Sequence, residues 1–221
     1  MPVILSDMPT PAPGFILRPY RPSDLNALYR ICLETGDTGE DATHLYSDPK
    51  LLGELYAAPY ATYAPDLTFV LEDETGVCGY ILGTLETEAF DGWLERTWFP
   101  PLRERYPIPT GNAKAWSRDE HVIRQFYEHR TPDEALLGAY PSHLHIDLLS
   151  RAQGSGNGRA LMETFLDALR AKGSPGVHLG TSPQNVRAER FYLKMGFTEL
   201  RRVEPHSLVM GQKLTESLAQ R

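Results

Sequence analysis

Only two cysteines, Cys32 and Cys78, occur in 221 residues. They form no C-x-x-C pair and are too few for a structural zinc site, so no metal is expected. They read as free core thiols in a reducing compartment, which makes the cytoplasm the expected location. No apolar run approaches the ~20 residues that span a bilayer, so no membrane partner is expected. The first residues, Met1 to Asp7, lack a basic segment and a long apolar stretch, so no secretory leader is expected. Positive charge is in deficit: 22 Lys and Arg stand against 29 Asp and Glu, a net of −7. A nucleic-acid partner calls for a basic face, and the balance argues against one. An acidic surface serves solubility and would also suit a cationic acceptor.

What is present is an ordinary globular composition, 41% hydrophobic and 23% charged. The length fits one domain with a core that needs no staples. Residues 1–13 carry four prolines and read as a loose arm. Phe15–Arg18 reads as a strand. Ser23 or Asp24 is placed to cap a helix carrying Leu25, Leu28 and Ile31. Leu67–Leu71 and Val77–Thr84 read as a hairpin, its glycines allowing close backbone approach. Residues 88–140 break the rhythm with three tryptophans and five prolines, and read as a helical and loop insertion. A 141–197 core follows: strand, loop, helix, strand, helix. Two tail strands close the chain. The order predicts an α+β fold with a mixed, partly antiparallel twisted sheet flanked by helices, in a single domain over 1–221.

The chemistry concentrates in Gln153-Gly154-Ser155-Gly156-Asn157-Gly158-Arg159. Glycines alternating between a strand and a helix start let main-chain N–H groups turn toward one anion. The loop has no Lys for a Walker pattern, and its G-x-G-x-G spacing is not the dinucleotide fingerprint. Arg151 and Arg159 are near enough to reach phosphates, or are solvated surface arginines. His143, His145 and Asp147 alternate, so they share one strand face. That face either supplies a proton acceptor to a cleft or ties the strand to the insertion.

Gln153-x-x-Gly156-x-Gly158, with Asn185-x-x-Ala188-x-x-Phe191-Tyr192 and Gly196-Phe197, resembles the two signatures of the GNAT acetyltransferase superfamily. The His143–Leu149 strand and Ser174–Gly180 further resemble the acetyltransferase-like domain at the C-terminus of O-GlcNAcase and its free-standing bacterial relatives. The resemblance implies acetyl-CoA as cofactor. It places the pyrophosphate on amides from Gln153 through Gly154, Ser155, Gly156, Asn157 and Gly158 to Arg159. It places the pantetheine arm against the main chain of Ile146 and Leu148, with Asn185 bonding that arm or capping its own helix. It makes Tyr192 the proton donor to the departing thiolate, and the N–H near Leu148 the oxyanion donor. His145 and Asp147 are the candidate bases. The implied activity is N-acetylation of an amine, whether a protein lysine, an N-terminus, an amino sugar or a small amine. The alternative is a non-catalytic acetyl-CoA-binding module. Oligomeric state is not legible.

Overall fold

The computed structural model describes residues 9–129 and 131–214. The strands are β1 (Ile16–Pro19), β2 (Thr68–Asp73), β3 (Gly76–Thr84), β4 (Ser142–Leu148), β5 (Gly176–Thr181), β6 (Thr198–Val203) and β7 (Ser207–Lys213). They form one seven-stranded sheet in the order β1-β2-β3-β4-β5-β7-β6. Every neighbouring pair is antiparallel except β4 with β5. The sheet is therefore mixed and mostly antiparallel, as the order of elements predicts.

Helices cover both faces. On one lies α8 (Asn157–Ala171), whose Leu161, Phe165 and Leu169 are fully buried. It reaches the sheet where β3 has no side chain. A Cβ on Gly83 would sit 2.1 Å from the His143 carbonyl oxygen and 2.6 Å from Phe165 Cζ. Glycine is required there for close approach. The opposite face carries α1 (Leu25–Glu34), α2 (Leu51–Tyr56) and α3 (Ala58–Tyr63). Alternation along β4 turns His143, His145 and Asp147 to this second face.

The stretch after β3 forms α4 (Thr87–Trp93), a π-helical turn, α5 (Phe99–Arg105), α6 (Arg118–Gln125) and α7 (Glu134–Ala139). It packs on the body. Trp98 donates its indole N–H to the Glu54 carbonyl at 2.8 Å, and Trp93 lies against Tyr63 and Phe90. The last helix among the described residues is α9 (Val186–Lys194).

Two local expectations fail. Asp24 makes no side-chain bond to the N–H groups of α1. It receives both guanidinium N–H groups of Arg18, at 2.8 and 3.0 Å, and the Arg21 N–H. A bidentate charge-assisted pair outcompetes a cap. The arm is also not loose at Ala12, whose N–H donates to Asn157 Oδ1 at 2.8 Å. Residues 1–8 of that arm lie outside the described residues.

Candidate active site

The site begins as a fault in the sheet. β4 and β5 are paired only at Ser142 with Val177 and His143 with His178. Beyond that point β4 stays on β3 and β5 stays on β7, so the sheet opens as a wedge. The phase of β4 decides which main-chain groups face the gap. Leu149 donates its N–H to the Cys78 carbonyl at 2.9 Å. Antiparallel pairing alternates, so Asp147 and His145 also bond toward β3, and Ile146 and Leu148 turn theirs to the gap.

The glycine loop follows at the wide end. Gly154 and Gly156 sit at φ +81° and +94°, where only glycine is unstrained. The main-chain N–H groups of Gly154, Ser155, Gly156, Asn157, Gly158 and Arg159 make no hydrogen bond among the described residues. The last three open α8, whose positive end adds to the field. Six unmatched donors in one turn form an anion cradle.

A cleft of about 1330 Å³ runs from this loop, past α9, to the second face of β4. Ile146, Leu148, Gln153, Gly154, Gly156, Gly158, Arg159, Asn185 and Tyr192 line it, and so do His145 and Asp147. Ser155 and Asn157 do not. Asn157 is fully buried, and its side chain donates to the Ala152 carbonyl and the Ser155 hydroxyl. Those two side chains therefore brace the loop from below, and only their main chain belongs to the cradle. Arg151 lies elsewhere, paired with Asp73 at 2.6 Å. Arg159 pairs with Glu163 at 2.7 Å and remains largely exposed at the cleft edge. Asn185 accepts the Ala188 N–H at 3.0 Å, capping α9.

Gln153 donates to the Leu148 carbonyl at 2.7 Å and accepts from Arg187, which reaches across from α9. Arg190 and Lys194, one turn apart on α9, line the cleft and make no ion pair among the described residues. The cleft is thus cationic in an acidic protein.

At the inner end, Tyr192 is 8% exposed, its ring between Phe191 and Phe197 with centroids 5.5 and 5.9 Å away. Its hydroxyl has no hydrogen-bond partner among the described residues and the residue borders the cleft. Burial, with the nearby Asp147 charge, pushes its phenol well above the usual range, so it stays protonated. Burial also raises the Asp147 carboxyl, partly offset by Tyr80, whose hydroxyl donates to Oδ2 at 2.6 Å. Burial, then the field of His178, lowers His145 to about 4.

His145 Nε2 lies 3.1 Å from the Tyr60 hydroxyl, which is 2.8 Å from His143 Nε2. The facing wall comes from α6. Arg118, His121, Val122 and Gln125 occupy one helical stripe on the cleft, and Gln125 accepts from the Tyr56 hydroxyl at 3.0 Å. Tyr60, Tyr80 and this stripe escaped the sequence reading. They lie far from both motifs in the chain, and only the α6 spacing offered a signal.

Comparisons with known proteins bear on this geometry. The acetyltransferase (GNAT) family model matches residues 111–197. Protein O-GlcNAcase of Rattus norvegicus is 32% identical over 191 residues, which is 86% of this chain and 21% of the relative. The chain thus spans about a fifth of the length of that curated relative. The crystal structure of SsHAT aligns with a TM-score of 0.83 and 39% identity, over 92% of this chain and all of that one. The structure of yncA from Salmonella typhimurium, solved with its cofactor acetyl-CoA, shares the fold at TM-score 0.52 and 16% identity, over 93% and 97% of the two chains. By motif, by fold and by these similarities, the chain belongs to the GNAT acetyltransferase family.

Proposed function

We propose that this protein is an acetyl-CoA-dependent N-acetyltransferase acting on an amine. One observation carries the reading. The cradle of unmatched amides opens into a gap edged by main-chain groups of Ile146 and Leu148, and the gap ends at Tyr192 and Asp147. Amides 154–159 would hold the pyrophosphate, with Arg187, Arg190 and Lys194 alongside. The main chain of Ile146 and Leu148 would bond the amide-bearing arm as an added strand does. Gln153 must release the Leu148 carbonyl for this, since it holds that acceptor itself. Acetyl-CoA, when bound, supplies the thioester carbonyl.

The chain's own groups then divide the work. Asp147, a half-buried carboxylate, attracts the acceptor nitrogen. Asp147 and His145 would take its proton. The Leu148 N–H is turned to the gap, where it can donate to a carbonyl oxygen gaining charge. Tyr192 gives its proton to sulfur. One C–N bond forms, one C–S bond breaks, and the amine's proton leaves on the wall of the cleft.

The test has two stages. Acetyl-CoA should raise the melting temperature, by linkage worth about 2.7 kcal/mol at 100 times Kd. A broad amine screen should then give free-thiol release. No thermal shift up to millimolar acetyl-CoA refutes the cofactor reading. Binding without turnover on any amine refutes the enzyme and leaves the binding module.

A further inference from the structure

The side chains behind His145 form a chain whose hydrogens can be counted. Thr87 Oγ1 lies 2.6 Å from the Pro141 carbonyl oxygen and 2.7 Å from His143 Nδ1. A carbonyl only accepts, so the single hydroxyl hydrogen of Thr87 goes to Pro141. His143 Nδ1 must then carry a hydrogen and donate. Burial, with the neighbouring His145, His178 and His129, holds His143 neutral, so its Nε2 is bare and accepts from the Tyr60 hydroxyl at 2.8 Å. That uses the only hydrogen Tyr60 has. The 3.1 Å contact to His145 is therefore a donation from His145 Nε2. A neutral imidazole bears one hydrogen, so His145 Nδ1 is left with a lone pair. No described residue bonds that nitrogen, and His145 lies on the cleft wall.

We infer that Thr87, His143 and Tyr60 are positioning residues that lock His145 into its Nε2–H tautomer, leaving Nδ1 as its hydrogen-bond acceptor toward the acceptor amine. Their link to turnover rests on the acetyltransferase reading; the tautomer does not. The chain ends on a backbone carbonyl, which cannot pass a hydrogen onward. It is accordingly a clamp and not a wire to solvent. It also crosses the architecture: Thr87 opens α4, His143 and His145 sit on β4, and Tyr60 sits on α3. Other titratable groups around His145 are Asp147 on β4, Tyr56 on α2, and His178 on β5, whose Nδ1 donates to the Tyr140 carbonyl. Asp91 on α4 acts on Tyr60 and His178 through its charge, and His129 acts on His143. None of these offers His145 Nε2 a second acceptor.

The experiment is nitrogen NMR of ring-labelled histidine at pH 7 on the full chain. His145 should appear as the Nε2–H form and His143 as the Nδ1–H form. Tyr60→Phe removes one oxygen and should turn His145 into a tautomer mixture. With a turned-over amine, it should lower kcat roughly 10-fold, less than the ~10²–10⁴-fold that loss of the base itself costs, and leave KM for acetyl-CoA unchanged. His143→Gln keeps one donor and one acceptor and should restore the His145 signature; His143→Leu should not. Should a His143 variant fail to fold, Tyr60→Phe decides alone. A wild-type His145 signal in the Nδ1–H form, or an unchanged tautomer and kcat in Tyr60→Phe, overturns the clamp. Absence of turnover on every amine defeats the enzyme reading and leaves the tautomer result to be judged by itself.

Discussion

Tyr192→Phe separates a chemical role from a structural one, because the structure isolates the hydroxyl. The ring is packed between Phe191 and Phe197, and phenylalanine keeps that contact. The hydroxyl makes no hydrogen bond among the described residues, so its loss leaves no protein group unpaired. A lost hydrogen bond would cost about 1 kcal/mol. In a domain of this size that would lower Tm by ~2–4 °C. The expected shift is therefore below about 2 °C, and acetyl-CoA affinity should hold. The rate should not. Burial keeps the phenol protonated at neutral pH, so the wild type always has a proton for the leaving sulfur. Without it kcat should fall by ~10²-fold, the low end for a general acid because a thiolate already departs well. That is about 2.7 kcal/mol of barrier. The assay pairs a thermal melt with free-thiol release at saturating acetyl-CoA. A wild-type rate on a true acceptor would refute the role. A Tm loss of several degrees would refute the packing argument.

Gly156→Ala meets no atom within 4 Å, so its cost is backbone strain at φ +94° alone. That amounts to ~1–2 kcal/mol, read from denaturant midpoints, and a wild-type midpoint would contradict the loop conformation. Acidification should weaken the fold through His145. The unfolded chain takes the proton near pH 6.5 and the folded one only near pH 4, so stability is intact above that window and falls as pH drops through it. His145→Gln should flatten the slope of urea midpoint against pH between those values; an unchanged slope would rule out His145 as its source.

The parts legible in sequence are those fixed by short-range pattern. Period-two spacing put His143, His145 and Asp147 on one face, and two signatures located the loop and α9. The illegible parts depend on distant partners. Asp24 has the chemistry of a cap, and nothing local says that Arg18 will claim it. Asn157 sits among loop residues, yet the left-handed turn at Gly156 rolls its side chain inward to hold Ala12. Tyr60 and Tyr80 reach β4 from elements more than 60 residues away. No periodicity links a tyrosine to a histidine across that distance. The stripe on α6 is periodic, but without the fold it reads as an ordinary amphipathic helix.

The gap between β4 and β5 has a consequence for how the protein coexists with others. Unpaired strand edges ordinarily invite foreign strands and seed aggregation, and proteins blunt them at the rims of sheets. Here the bare edge lies inside the sheet, walled by β3 on one side and by β5, held to β7, on the other. Its two half-buried residues, Ile146 and Leu148, offer a ladder too short to template a hairpin, and Gln153 already holds the Leu148 carbonyl. The wedge closes at His143 and His178, where β4 and β5 pair. On the proposed reading, a slender, amide-bearing chain would meet the main chain there.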